Sequence, residues 1–376
     1  MRPLVSIITP SYNQGKFIRE TIESVLSQDY DNIEYIVVDG KSTDNSLDII
    51  KEYEGRLTYI SERDHGQSDA INKGFKMAHG EIIAWLNSDD VYEPGCVRRA
   101  VEEFEKNNKL GLLYGDGYII DEHSNKLKVF EYTQEFDYWK LVNFWDYIMQ
   151  PATFFRTEML KKVEYLDVNL HYCMDWDLWI KLAAISEVKY IPELLACSRE
   201  YGDTKTSTGG DMRLKEIIGL LQKYSGKEKP LGVQSYEAST FYTKNADKIW
   251  PVRKFAGWYL TYKHKLLNKQ LPVQYADGWI GSDYAFIVPR YASKVEIEIL
   301  EIFADVLPVD ICIEHNGKNI KKMTFEKNVS TKYVLDIEHK ETEALDEIHI
   351  RCNRTARPGA GDDRDISIRM SKAKYL

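Results

Sequence analysis

Four short apolar runs near the start of the chain, each ending in a polar cluster and each leading into a helix-period stretch, limit the accessible folds more than any other feature. They are Leu4–Thr9, Ile33–Val38, Leu57–Ile60 and Glu81–Leu86, with helical periodicity over Phe17–Leu26, Ser46–Tyr53 and Ala70–Ala78. Strands this short and apolar, alternating with helices, predict an α/β class: a Rossmann-like, mostly parallel sheet covered on both faces. Its crossovers should be right-handed. Beyond Pro94 the pattern predicts a helix to about Asn107, strands at Leu110–Tyr114, Tyr118–Asp121 and Thr153–Phe155, and a helix over Met174–Ile185. Residues 213–270 read as helical. From Asp277 the texture changes to period 2, as in KVEIEILEIF, VDICIEHNG, KYVLDIEH and EIHIRCN, with a turn at Asn316-Gly317. That alternation predicts an antiparallel β-sandwich. The expected organisation is an α/β domain over 1–212, a helical linker over 213–272 and the sandwich over 273–376.

Ligands of open α/β sheets bind at the carboxyl ends of the strands. Here those ends read Thr9-Pro10-Ser11-Tyr12-Asn13, Asp39-Gly40-Lys41-Ser42, Asp64-His65-Gly66-Gln67-Ser68-Asp69 and Asn87-Ser88-Asp89-Asp90. Each alone reads as a cap or a turn; together they make one polar rim. The adjacent carboxylates of Asp89 and Asp90 repel each other unless something positive sits beside them. No Gly-x-x-x-x-Gly-Lys-[Ser/Thr] and no Gly-x-Gly-x-x-Gly is present, so the rim is neither a P-loop nor a dinucleotide fingerprint.

The stretches VSIITPSYNQGKFIRETIESVLSQ, IEYIVVDGKSTDNS and GQSDAINKGFKMAHGEIIAWLNSDD resemble the family 2 glycosyltransferases of the GT-A fold, a resemblance that extends over residues 3–200. It implies a nucleotide-diphospho-sugar transferase whose first two strand ends hold the donor nucleotide. The fourth would carry an Asp-x-Asp motif for Mn²⁺ or Mg²⁺, bridging the donor diphosphate. Hard cations of this kind take oxygen ligands and keep positions for phosphate and water. The resemblance places donor-binding residues at Thr9, Pro10, Tyr12, Asp39, Gln67, Asp69, Asn72, Asn87 and Ser88, and metal ligands at Asp89 and Asp90. Three departures stand out. Asn87 replaces the first aspartate of the motif, Gly40-Lys41 follows Asp39 where the family has Asp-Gly, and Ile71 replaces a common arginine.

An inverting transferase needs a general base on the acceptor hydroxyl. The family places it in a Glu-Asp pair opening a helix, and this chain has YCMDWDLWIKLAAI, with Met174 in the glutamate position. Asp175 shares a stripe with Leu178, Trp179 and Leu182, and a carboxylate at an apolar edge has its pKa raised. Asp177 lines up with Lys181 as a solvated i, i+4 pair. Periodicity and family pattern both select Asp175, a helix cap being the plainer role. MQPATFF resembles the acceptor-side segment, with Gln150 exposed before Pro151, and Trp176 beside Asp175 is a second acceptor candidate. REYGDTKTSTGGD resembles a segment that closes over the donor, where Arg199 and Lys205 would neutralise diphosphate.

Lys244–Lys269 holds seven Lys/Arg and one Asp, interleaved with aromatics. It fits either a helix lying on an anionic membrane or a linker helix packing its rings on the first domain. The tail, with DGWIGSDYAF and GDDRDISIRM, looks like the jelly-roll sandwich of carbohydrate-binding modules; an oligomerisation or scaffold role stands beside sugar binding. A net charge of −9 argues against a nucleic-acid partner. The five scattered cysteines fit a reducing compartment, and the N-terminus shows no signal-peptide stretch. The expectation is a cytoplasmic enzyme, peripheral at the inner membrane face, using a UDP- or dTDP-sugar and a glycan or lipid-linked acceptor. A sugar nucleotidyltransferase and a catalytically impaired glycan-binding protein are the alternatives.

Overall fold

In a computed structural model, residues 2–376 are described except 203–204, 206–208, 269, 273, 276, 340–344, 359–361 and 363. The early apolar runs are core strands because both of their faces are covered. Val5 and Ile7 point into a cluster with Ile18, Ile22 and Val25 of the first helix. Ile8 points the other way, toward Gly74, where a Cβ would come within 2.4 Å of its side chain. Glycine there lets the third helix lie close on the sheet.

The strands of this half are β1 (Val5–Ser11), β2 (Ile33–Asp39), β3 (Thr58–Ser61), β4 (Ile82–Trp85), β5 (Val91–Tyr92), β6 (Leu110–Ile120), β7 (Lys126–Val129), β8 (Thr153–Arg156) and β9 (Glu187–Arg199). They form one sheet in the order β3-β2-β1-β4-β8-β6-β9-β5, with β7 on β6. The helices are α1 (Ile18–Leu26), α2 (Ser46–Lys51), α3 (Gln67–Met77), α4 (Cys96–Lys106), α5 (Tyr138–Asn143), α6 (Thr157–Lys162), α7 (Met174–Ile185), α8 (Gly210–Ser225), α9 (Leu231–Asn245) and α10 (Trp250–Asn268).

Parallel registers align the strand ends: Ser11 lies opposite Asp39, and Asp39 opposite Ser61. β8 runs antiparallel to β4, so the turn entering β8 returns to the end of β4. β9 runs parallel to β6 and ends at Arg199, opposite Ile120. The two strands expected at 110–121 are one strand that bends through register shifts near Gly115 and Asp116. β9 has no counterpart in the sequence reading. Pro192 and three exposed positions interrupt its apolar pattern, and its pairing with β6 supplies the order.

The chain divides into two compact units, Met1–Phe136 with Asp146–Leu220, and Asp137–Trp145 with Leu221–Leu376. In the second, the period-2 segments form two antiparallel sheets. Their strands are β10 (Trp279–Ile280), β11 (Asp283–Val288), β12 (Lys294–Ile302), β13 (Val309–His315), β14 (Lys318–Phe325), β15 (Thr331–Asp336), β16 (Asp346–Cys352), β17 (Ile368–Met370) and β18 (Lys374–Tyr375). One sheet is β10-β17-β12-β15 with β18 on β12; the other is β11-β16-β13-β14. Inward residues such as Ile297, Ile299, Ile311 and Ile350 share one core. In GDDRDISIRM, Gly361 and Asp363 lie outside the described residues.

Short helix α5, drawn from the middle of the chain, belongs to this second unit. Its Trp139 Nε1–H donates to Glu347 on β16, which also receives Lys227 Nζ at 2.9 Å and faces His349 Nε2 at 3.2 Å. Burial alone would lower the His349 pKa, but Asp283 and Glu347 outweigh it and raise the value to about 9. A raised histidine stabilises the fold fully below its unfolded value and loses that contribution as pH rises through about 9. The second unit is therefore expected to lose on the order of 1–3 kcal/mol between about pH 6.5 and 9. Melting curves across that range should show the loss, and His349→Gln should flatten it; an unchanged slope in the variant would discard the assignment.

Candidate active site

The rim begins at Tyr12, whose ring is 60% exposed at the end of β1. The end of β2 can pass beside it because residue 40 is glycine: a Cβ there would sit 3.3 Å from the Tyr12 ring and 2.4 Å from Asp64. Asn13 adopts φ 53°, and its side-chain oxygen accepts the Thr43 N–H at 2.8 Å. Ser42 Oγ accepts the Asn13 N–H at 2.9 Å, and Ser46 Oγ accepts the Gln14 N–H at 2.8 Å. The polar cluster after β2 thus holds the loop after β1.

Several residues expected to touch the donor have structural partners instead. Thr9 is buried in β1 with its hydroxyl 3.1 Å from that of Tyr35, and Pro10 is buried in the same strand. Asp39 is buried and accepts Ser42 N–H, Ser42 O–H and Ser61 O–H. Asp69 accepts the His65 N–H at 3.1 Å and lies 3.5 Å from Lys73. Asn72 grips the Leu166 backbone with both ends of its amide, at 2.9 and 3.0 Å. Ser88 is buried in the turn.

Arg199 was expected to meet diphosphate and does not. Its side chain is sealed in: Nε donates to Asp89 O at 2.7 Å, one terminal nitrogen to Asp121 O and Ser124 Oγ, and the other to Glu20 at 2.6 Å. It clamps the end of β9 to the turn after β4. Removing the charge leaves buried acceptors without their donor, so Arg199→Met should cost about 3–5 kcal/mol of stability. Thermal melts would register it; a variant with wild-type stability would contradict the clamp.

The Asn87–Asp90 turn separates two kinds of carboxylate. Asp90 is wholly inward, accepting the Arg199 N–H at 2.9 Å and the Asn87 amide at 3.1 Å. Burial and the neighbouring Asp89 push its pKa up to about 8. The assignment of Asp90 as a metal ligand is corrected: both oxygens are engaged in the fold. Asp89 lies toward the rim, where the Tyr201 hydroxyl donates to its Oδ2 at 2.9 Å, and burial raises its pKa. Tyr201 was not anticipated; its only signal was its place in the polar segment after β9.

Asn87 has a structural reason to be an amide. It donates to Asp90 and to Gln150 Oε1 at 2.8 Å, which a carboxylate could not do. Its oxygen accepts Gln67 Nε2 at 2.9 Å and Trp85 Nε1 at 3.1 Å. Gln150 returns a bond to Trp85 O at 2.9 Å, so its amide braces the strand end, a correction to its acceptor assignment.

From Gln67 the rim extends to the other half of the site. Lys205 Nζ donates to Gln67 Oε1 at 2.9 Å and lies 3.9 Å from Met174 Sδ, at the start of α7. Burial lowers the Lys205 pKa. The next residue is Asp175, half-buried, whose Oδ1 accepts the Trp176 N–H at 2.8 Å. Burial raises its pKa, against the pull of Lys205 and Arg213. Glu216 on α8 takes the His171, Tyr172 and Cys173 N–H groups and so fixes the segment that leads into α7, while Asp175 itself takes a first-turn N–H, that of Trp176. Asp146, also unanticipated, is driven well above the carboxylate range by burial and by Asp175.

Two features of α7 differ from expectation. Asp177 is 1% exposed, with Lys181 Nζ at 3.0 Å, so it is a buried pair rather than a solvated one. Trp176 is buried too, which removes it from the acceptor surface. The helix is core on nearly every side, so periodicity could not tell a wet face from a dry one.

A family model described as Glycosyl transferase family 2 matches residues 6–162. An uncharacterized glycosyltransferase of Rickettsia typhi is 34% identical over 240 residues, covering 60% of this chain and 74% of the relative. This chain belongs to glycosyltransferase family 2. A second relative, an uncharacterized glycosyltransferase of Rickettsia prowazekii, is 32% identical with the same coverage. Among solved structures, S. aureus TarS 1–349 in complex with UDP-GlcNAc aligns with a TM-score of 0.50 at 17% identity, over 71% of this chain and 83% of that one. At that identity the likeness is one of fold.

No group of three or more His, Cys, Asp or Glu able to hold a metal occurs among the described residues. A small hard cation takes one or two carboxylates, the rest of its shell coming from substrate phosphate and water. Asp89, a partly buried carboxylate whose charge is penalised by burial, fits that sparse role.

Proposed function

We propose that this glycosyltransferase is inverting and metal-dependent, moving a sugar from a UDP- or dTDP-linked donor to a hydroxyl of a glycan or lipid-linked acceptor in bacterial surface polysaccharide assembly. The observation that carries the proposal is the hydrogen-bonded path Asn87–Gln67–Lys205, which ends against Met174 beside Asp175. It joins the donor rim to the carboxylate suited to be a base. Tyr12, with its exposed ring, offers a stacking face for the nucleotide base. Gln67 and Lys205 face the diphosphate. Asp89 would hold the Mn²⁺ or Mg²⁺, which when bound neutralises charge on the departing diphosphate.

In the transfer step Asp175 takes the acceptor hydroxyl's proton as that oxygen bonds to the anomeric carbon. The bond from that carbon to the diphosphate oxygen breaks, and attack opposite the leaving group inverts the centre. The five free thiols are consistent with a cytoplasmic setting.

A thermal-shift screen of nucleotide sugars, with and without Mn²⁺, tests the donor. A ligand that binds only the folded state stabilises it by about 2.7 kcal/mol at a hundred times its Kd. No shift with any nucleotide sugar would reject the donor assignment. Nucleoside-diphosphate release with Mn²⁺ distinguishes a working enzyme from a glycan-binding protein with a dead site. Lys205→Met should raise the donor KM about 10- to 100-fold, the value of one charge-assisted hydrogen bond. Steady-state kinetics with varied donor would show it; an unchanged KM would remove Lys205 from the diphosphate.

A further inference from the structure

We propose that helix α10 is a membrane-surface contact that seats the protein on an anionic bilayer, lying in the interface without crossing it. The helix has two faces. Ala256 and Leu267 are fully buried, on the side where α10 meets α9. The opposite side presents Phe255, Trp258, Tyr262 and Leu266 at 56%, 59%, 51% and 37% exposure, spaced by three and four residues along one stripe. Trp258 stacks on Tyr262 with centroids 5.4 Å apart, and Phe255 lies 5.9 Å from Trp258, so the rings form one continuous surface. Trp250, at the start of the helix and 62% exposed, lies on the far side of Lys254 from this stripe. A contiguous exposed apolar surface of this kind marks an interaction site.

The charge around the stripe identifies the partner. Lys244–Lys269 carries seven Lys/Arg and one Asp inside a chain of net charge −9. Lys254 and Lys265, both exposed, fall along one edge of the stripe by helical spacing, and Lys254 Nζ lies 4.7 Å from the Trp250 ring. Rings with polar tips beside cations match the headgroup layer of an anionic bilayer, where Trp and Tyr settle and Lys meets phosphate. A second copy of this chain would bring the same positive edge against itself. A glycan would call for acidic or amide side chains beside the rings, and no Asp or Glu occurs from Lys248 to Lys269. Among the described residues, no helix is long and apolar enough to cross a membrane.

Vesicle binding needs no donor and is independent of the transfer chemistry. The full chain is to be co-sedimented with phosphatidylcholine vesicles, with and without about 30% phosphatidylglycerol, at rising salt. Binding to the anionic vesicles is expected, weakening with salt and largely absent on the neutral ones. The triple variant Phe255→Ser/Trp258→Ser/Tyr262→Ser and the charge variant Lys254→Glu/Lys265→Glu should each lower partitioning at least about tenfold. Circular dichroism checks folding, and the charge variant, changed only at exposed positions, decides the matter if the triple variant misfolds. Absence of binding to anionic vesicles overturns the proposal, as does binding that a folded charge variant leaves intact. So does a wild-type dimer in light scattering that the aromatic substitutions dissolve, since the stripe would then be a self-interface.

Discussion

Asp175→Asn is expected to slow transfer by about 10²- to 10⁴-fold, the usual contribution of a general base, while donor affinity stays near wild type. The base acts only on the attacking hydroxyl in the transition state, so its loss belongs in kcat. Three carboxylates near the start of α7 make the comparison informative. Burial raises the pKa of both Asp146 and Asp175, and the two carboxyls disfavour each other's charge. Asparagine stands in for a protonated carboxyl, and if Asp175 is the base Asp146→Asn should keep transfer within about threefold. Asp177→Asn should act on stability instead, costing about 1–3 kcal/mol by weakening a buried pair, with turnover retained. Because burial raises the Asp175 pKa, transfer should fall on the acid side as pH drops through a value above the ordinary carboxylate range. Single-turnover rates, donor Kd and melting curves on the three variants separate these outcomes. If Asp146→Asn is the dead variant and Asp175→Asn the active one, the base has been assigned to the wrong carboxylate.

Asp89→Asn is expected to abolish metal-dependent donor binding and to reduce transfer by at least about 10²-fold, because several kcal/mol of charge stabilisation goes with the cation. The fold should survive. Asparagine can still accept the Tyr201 hydroxyl, and a neutral group removes a charge that burial already disfavours. Melting temperature should therefore stay level or rise. Donor titration with Mn²⁺, with EDTA and in the variant is the direct measurement. Full wild-type transfer in EDTA would rule out the cation, and full transfer by the variant would free Asp89 from it. Asp90→Asn provides a contrast: it disturbs acceptors for Arg199 N–H and Asn87, so its effect should appear in the melt.

The strand-helix alternation, the rim of strand ends and the period-2 tail were legible in the sequence because each depends on local periodicity and on where an apolar run stops. Asp175 was singled out by the same periodicity, as a carboxylate in register with Leu178, Trp179 and Leu182, and its role as base is the proposal to be tested. Tyr12 is exposed at the end of β1 and Lys205 is bonded to Gln67; the family resemblance had assigned both to the donor. The division of labour among polar residues was not legible. Thr9, Asn72, Gln150, Arg199 and Asp90 have the composition of a ligand site, yet each is bonded to the protein's own atoms. Their partners are distant in sequence: Asn72 meets Leu166, and Arg199 meets Asp89 and Glu20.

Periodicity along this chain determined which segments form strands and helices, and which strand ends carry polar groups. Only the tertiary structure decided which of those groups face solvent. A buried polar atom must find a partner, and the partner is supplied by whatever the folded chain brings within about 3 Å. That requirement draws Arg199 inward, makes Asn87 more useful as an amide than as a carboxylate, and buries Asp177 on a helix without a wet side. It leaves Asp89, Lys205 and Asp175 at the rim.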